Sequence, residues 1–132
     1  METTPASLAH RYTEALAAQD MATVAGMFAE GITWHQPGDN RFSGTHHGSA
    51  AVGEMIGGMM AASQGSFALA PNGTTMVNSD LVAIPVHFAA KRDEAELSMD
   101  GVDVLRVDGD HIVEVWLFTA DQRAEDDFWG RA

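Results

Sequence analysis

The apolar residues of this chain follow two different periods, and the switch between them constrains the fold more than any other feature. Up to about residue 63 they recur every three or four positions. Leu8, Tyr12 and Leu16 form one stripe over residues 5–18, and Val52, Met55, Ile56, Met59 and Met60 form another over residues 48–63. Such spacing puts them on one face of a helix. From Phe67 onward they alternate or run continuously, as strands do: Phe67 and Leu69, Thr75 and Val77, Leu81 to Ala90, Glu94 to Val107, and Ile112 to Thr119. Helices followed by a meander of long strands predict an α+β domain, with the helices gathered on one face of an antiparallel β-sheet.

Local signals set the element ends. Thr4-Pro5 opens the first helix with a capping hydroxyl and a proline at the first helical position. Asp20 caps a second helix that buries Val24, Met27 and Phe28 and ends at Gly31. Ile32 to Gln36 reads as a short strand stopped by Pro37-Gly38, and residues 38–47 as a polar loop. Gly53, Gly57 and Gly58 each weaken the third helix by up to about 1 kcal/mol relative to alanine, so packing must hold it. Pro85 within a strand marks an edge, a bulge or a bend. Asp108-Gly109-Asp110 is a tight hairpin turn, and Asp121 starts a short C-terminal helix carrying Phe128 and Trp129. No repeat or linker interrupts the chain, so residues 1–132 are expected to form one domain.

Composition removes several functions. The net charge is −12, and the seven basic residues are scattered apart from Lys91-Arg92, so nucleic acid is not an expected partner. The absence of cysteine removes disulfides, thiolate nucleophiles and Cys-ligated zinc. No apolar run approaches the ~20 residues of a membrane helix. Met1-Glu2-Thr3-Thr4-Pro5 lacks the basic start and apolar stretch of a signal peptide, so a cytoplasmic protein without a membrane partner is expected. His10, His46, His47, His87 and His111 lack metal-site spacing, and no phosphate loop, dinucleotide fingerprint or serine elbow is present. Neither a metal nor a cofactor is expected.

What remains is a set of polar residues on apolar faces. Tyr12 is either a core tyrosine whose hydroxyl finds a backbone partner or a donor into a pocket. Asp103 shares a strand face with Met99, Gly101, Leu105 and Val107. A carboxylate there is costly unless paired or protonated, and the alternative is a bulge near Gly101 that turns it to solvent. Trp34 and Gln36 share a face with Ile32, and His35 takes the other unless the Pro37-Gly38 turn twists the strand end. Trp34 and the methionines fit either a core or an adaptable pocket wall. If Ile84, Val86 and Phe88 point inward, Ala83, Pro85, His87 and Ala89 form an outer face suited to sheet-to-sheet contact. Asp100 is expected opposite Asp103, and Glu114 opposite Val113 and Val115, with no inward assignment for either. Glu125-Asp126-Asp127 reads as a solvated helix face.

Arg11-Tyr12, Trp34-His35-Gln36-Pro37-Gly38, Ser43-Gly44-Thr45, Met99 to Asp103 and Ile112 to Trp116 occur in an order and spacing that carry a family resemblance. Through them the chain resembles the SnoaL-like and ketosteroid-isomerase-like branch of the nuclear-transport-factor-2-like, or cystatin-like, superfamily, over essentially its whole length. The resemblance implies a curved, cone-shaped sheet wrapped by about three N-terminal helices, a pocket for a small apolar molecule between them, and often a homodimer through the outer sheet face. It carries Tyr12 onto the tyrosine that donates to a substrate oxyanion. It carries Asp103 onto the aspartic acid kept neutral by an apolar site. The isomerases' general base, an aspartate before proline, falls at Gln36, which takes up no proton at neutral pH. His35 is the expected substitute, since histidine suits proton transfer near neutrality.

The expected catalytic residues are therefore Tyr12, Asp103 and His35. The expected substrate-binding residues are Trp34, Gln36, Met55, Met59, Ile84, Val86, Phe88, Met99, Val115 and Leu117. The expected function is cofactor-independent isomerisation, cyclisation or dehydration of an apolar carbonyl compound through oxyanion stabilisation. The alternative, motivated by Gln36, is non-catalytic binding of a small hydrophobic ligand.

Overall fold

The structure, a computed structural model, describes residues 4–130. Met1, Glu2 and Thr3, most of the stretch compared above with a signal peptide, lie outside the described residues. Helix α1 (Pro5–Ala17) starts where its capping signal stands. The Ser7 amide donates to the Thr4 hydroxyl at 3.1 Å, and the Thr4 amide donates to the Ser7 hydroxyl at 2.9 Å, a reciprocal box that satisfies two otherwise free donors. Leu8, Tyr12 and Leu16 are buried together, as their spacing requires.

Helix α2 (Met21–Gly26) has the expected Asp20 cap but stops well short of Gly31. Strand β1 (Phe28–Gln36) begins at Phe28 and not at Ile32. The cause is tertiary. Phe28 pairs with Ile112, the Ile112 amide donates to the Met27 carbonyl at 2.8 Å, and the Phe28 ring stands edge-on to Trp34 with centroids 5.7 Å apart. Backbone pairing far along the chain thus takes these residues from the helix that their apolar pattern suggests. The segment read as a polar loop contains strand β2 (Gly44–His47), antiparallel to β1. His46 is half-buried there, and its ring Nε2 bonds the Phe42 carbonyl at 2.8 Å.

Helix α3 (Ser49–Ala62) keeps Val52, Met55 and Met59 buried. Gly58 makes room for Phe42, whose ring would stand 2.9 Å from a Cβ at that position. Strands β3 (Ala68–Pro71), β4 (Met76–Asn78), β5 (Leu81–Arg92), β6 (Ala95–Asp108) and β7 (His111–Thr119) follow, and α4 (Gln122–Trp129) closes the described chain. The sheet order is β2-β1-β7-β6-β5-β3, with β4 also on β5. One pairing departs from the expected antiparallel plan: β1 runs parallel to β7. These strands come from opposite ends of the chain, so no hairpin dictates their direction, and the curved sheet is mixed.

The β5–β6 register is unbroken from Leu81↔Arg106 to Arg92↔Ala95. No bulge interrupts Gly101, and Asp103 stays on the inner face with Leu105 and Val107. The bulge lies instead where β6 meets β7, between Arg106 and Val107. Along β5, Val82, Ile84, Val86, Phe88 and Ala90 are buried, and Ala83, Pro85, His87 and Ala89 are only half-covered on the outer face, as alternation expects. Pro85 sits where β5 passes from its β4 pairing to its β3 pairing, so its missing N–H interrupts neither ladder.

Two apolar clusters fill the interior. One joins α1, α2 and α3 to the sheet through Leu8, Val24, Val52, Ile32, Ile84 and Leu105. The other surrounds Trp129, which packs edge-on against Phe42 and Phe128 with centroids 5.3 and 4.9 Å away. Phe42 and Leu69 touch both clusters.

Candidate active site

A cavity of about 80 Å³ lies between the helices and the inner face of the sheet, and its wall is almost wholly apolar. Five polar side chains interrupt that wall: Tyr12 from α1, Gln36 from the end of β1, Asp103 from β6, Thr119 from the end of β7 and Glu125 from α4. A wider groove of about 540 Å³ between α2 and α3 adjoins it, and Met21, Val24, Phe28 and Ile56 border both. Gly53 and Gly57 of α3 border that groove, and a Cβ added at either would project into open space.

Asp103 is 4% exposed, and its Oδ2 has no hydrogen-bond partner in the protein. Burial raises its pKa from the ordinary carboxylate range to about 7. A neutral Asp103 carries an O–H that can be donated, whereas an ionised one would be an unpaired charge in an apolar wall. Tyr12 is 1% exposed. Burial, and then the nearby Asp103 charge, hold its pKa well above the ordinary tyrosine value, so its hydroxyl stays a donor throughout the working range of pH. Tyr12 and, while it holds its proton, Asp103 thus present two hydrogen-bond donors on one cavity wall.

Gln36 is also buried, and its orientation is fixed. The Trp34 indole N–H, which can only donate, bonds the Gln36 Oε1 at 2.9 Å. The amide therefore has its –NH2 end left for other partners, and it offers no proton acceptor for catalysis. Pro37 and Gly38 follow at once, and Gly38 packs directly against Gln122 and Asp126 of α4. The Asp39 amide and the Asn40 Nδ2 both donate to the Asp126 Oδ1, at 3.1 and 2.9 Å. Helix α4 is thereby pinned to the loop that leaves Gln36.

On that helix Glu125 turns inward. It is 5% exposed, its Oε2 accepts from the Trp129 indole at 3.3 Å, and its Oε1 accepts from the Gln122 amide at 3.1 Å. Burial is the main influence on its pKa and raises it. The Trp129 and Gln122 bonds pull it back, and neighbouring Asp126 adds to the rise.

Of the residues expected at a pocket, Tyr12, Trp34, Gln36, Met55, Met59, Phe88, Asp103 and Leu117 border this cavity. His35 does not. Strand alternation turns it to the outer face, where its Nε2 lies 2.7 Å from the Glu114 Oε2 and its ring stacks on Trp116 with centroids 5.5 Å apart. Glu114 also lies 3.6 Å from Arg106, so it too is an outer-face group. Asp100 is likewise outside, bonded to His87 and Asn72 at 2.9 Å. The expectation that His35 replaces the base is therefore overturned. Ile84, Val86 and Val115 do point inward, but they are buried in the core and border neither this cavity nor the adjoining groove. Met99 is also off the wall, and its sulfur accepts the Thr119 hydroxyl at 3.0 Å. Among the described residues no group of three or more His, Cys, Asp or Glu side chains is placed to hold a metal ion.

Residues 9–115 match the SnoaL-like domain family. The chain belongs to the SnoaL-like family. Among solved structures, a protein of unknown function with a cystatin-like fold from Xanthomonas campestris is 43% identical, covering 98% of this chain and 100% of its own, with a TM-score of 0.90. A candidate SnoaL-like polyketide cyclase from Mesorhizobium loti is 22% identical over 88% and 99% of the two chains, with a TM-score of 0.73. TerC, crystallised with polyporic acid, is 15% identical over 95% and 98%, with a TM-score of 0.78. At those last two identities the likeness is one of fold. No curated protein matches the sequence.

This SnoaL-like chain has one buried pocket carboxylate that sequence reasoning placed in solvent. Glu125 sits in a run of three acids, which by composition reads as a wet helix face. The signal that separates it is its spacing to Trp129. Four residues apart on a helix, the two share a face, and Trp129 is fully buried.

Proposed function

We propose that the cavity binds the carbonyl end of a small, neutral, apolar compound and stabilises an enolate-like form of it, as the catalytic step of an isomerase, cyclase or dehydratase. The observation that carries this reading is the unpartnered carboxyl of Asp103, buried beside Tyr12 in an otherwise apolar wall. A buried polar group without a partner costs about 1–3 kcal/mol, so its retention calls for a reason. A ligand oxygen that accepts from both the Tyr12 hydroxyl and a neutral Asp103 supplies one. As negative charge gathers on that oxygen, both bonds strengthen in an almost wholly apolar site. The family membership and the cyclase-like neighbours support a small-molecule pocket of this kind.

The size of the cavity limits the ligand. An apolar cavity of about 150 Å³ takes up benzene, and this one is about half that volume. A polycyclic compound therefore reaches Tyr12 and Asp103 only with its carbonyl-bearing end, and its remainder extends past Met21 and Val24 towards the groove between α2 and α3.

Turnover tests this. With a carbonyl substrate that wild type converts, Tyr12→Phe is expected to lower kcat by on the order of 10²-fold, the typical effect of removing one oxyanion donor. Undiminished turnover in Tyr12→Phe would remove the assignment. The second reading, a binding module without chemistry, rests on Gln36 standing where the isomerases have their base. It predicts that a saturating ligand raises the unfolding temperature and is recovered unchanged.

A further inference from the structure

We propose that Glu125 is the proton-transferring residue of this site, facing the substrate carbon from the α4 side while Tyr12 and Asp103 hold its oxygen. The proposal rests on the oxyanion reading above and adds the base that reading lacks. Gln36 cannot take a proton, and His35 lies on the other side of the sheet. Glu125 is the remaining carboxylate on the cavity wall besides Asp103.

Its placement follows from named contacts. Gly38, two residues beyond Gln36, has a positive φ and no side chain, so Gln122 and Asp126 close directly onto it. The same Gln122 amide nitrogen bonds the Glu125 Oε1. The carboxylate is thus delivered from another helix to the end of the cavity that Gln36 borders. Its two bonds come from neutral donors, the Trp129 indole and the Gln122 amide. They orient the group without supplying a cation that would quench its basicity. Each oxygen also keeps a lone pair beyond the one these donors use. Burial favours uptake of a proton at this carboxylate, which is the direction a general base requires.

The step balances within substrate and protein. The Glu125 carboxylate removes a proton from the carbon next to the carbonyl, the C–H electron pair becomes the new C=C bond, and the carbonyl π pair moves to the oxygen held by Tyr12 and Asp103. The Glu125 carboxylic acid then returns the proton, to the same carbon in simple exchange or to a conjugated carbon in isomerisation. No oxidant or co-reactant is needed.

The test uses 3-cyclohexen-1-one as probe ketone in D2O, with deuterium uptake at carbon followed by proton NMR, alongside phenol as a non-reacting enolate mimic. Wild type is expected to exchange faster than buffer. Glu125→Gln is expected to lose about 10²-fold or more of that rate, in line with general-base catalysis, while binding phenol within twofold of wild type. Exchange at the wild-type rate in Glu125→Gln overturns the proposal. So does a wild type that binds phenol through Tyr12 and Asp103 yet exchanges no faster than buffer, and that outcome leaves the oxyanion reading intact. Failure of wild type to bind phenol overturns both. If Glu125→Gln does not fold by circular dichroism, Glu125→Asp decides. Its carboxylate, withdrawn by one methylene, is expected to exchange at least tenfold more slowly, and an unchanged rate again overturns the proposal.

Discussion

At the scale of single residues, the site depends on a carboxylic acid that is costly to bury. Asp103 holds its proton to about pH 7 in the folded protein, and in the unfolded chain it loses it near pH 4. Below pH 4 both states are protonated, and the difference adds nothing to stability. Between those values the folded state binds a proton that the unfolded state has released, so stability falls as pH rises. Above pH 7 the loss is complete and amounts to at most about 4 kcal/mol. Asp103→Asn removes this dependence. It is expected to be more stable than wild type at pH 8, by on the order of 1–4 kcal/mol, with the advantage shrinking as the pH falls towards 4. Chemical denaturation at several pH values measures it, and equal stability at pH 8 would show that Asp103 is not a strained acid. This residue was legible in the sequence because alternation alone puts it with Leu105 and Val107. The same rule, applied to Ile32, Trp34 and Gln36, also sent His35 outward. The resemblance to isomerases had made His35 attractive as a base, and strand geometry decided against it.

At the scale of elements, the long periodic segments and the capped short helices α2 and α4 were legible, whereas β2 and the start of β1 were not. Helices α1 and α3 and strands β5 to β7 are set by many residues agreeing on one period. Strand β2 and the start of β1 depend on partners elsewhere in the chain, since Phe28 needs Ile112 and Gly44 needs Gln36. No local pattern announces either pairing. The junction of β1 with α4 is similar. Gly38 adopts φ +90, and a Cβ there would collide with Gln122 and Asp126. Gly38→Ala is therefore expected to cost about 1–3 kcal/mol through backbone strain, with further loss as α4 shifts. Because that shift moves Glu125, carbon exchange is expected to fall more than phenol affinity. A variant as stable and as active as wild type would mean that the α4 clamp does not position the site.

At the scale of the whole molecule, the cavity is lined by residues of both apolar clusters. Helices α1 to α3 pack on one part of the inner face and α4 on another. The polar side chains that line the cavity come from five elements: α1, β1, β6, β7 and α4. Such an assembly cannot be read from spacing along the chain, which is why the resemblance supplied Tyr12 with Asp103 but nothing supplied Glu125. The net charge of −12 and two cavity carboxyls disfavour an anionic ligand, so a neutral carbonyl compound fits the molecule better than a carboxylate or phosphate does. The pH dependence of phenol affinity measures the donor pair directly. Titration of tryptophan fluorescence from pH 5.5 to 8.5, for wild type, Tyr12→Phe and Asp103→Asn, is the experiment. Affinity in wild type is expected to fall as pH rises through about 7, where Asp103 loses the proton it donates. The fall should be absent in Asp103→Asn, and affinity should be weaker throughout in Tyr12→Phe. An affinity flat across this range in wild type, or untouched by both substitutions, would contradict an oxyanion site built from Tyr12 and a neutral Asp103.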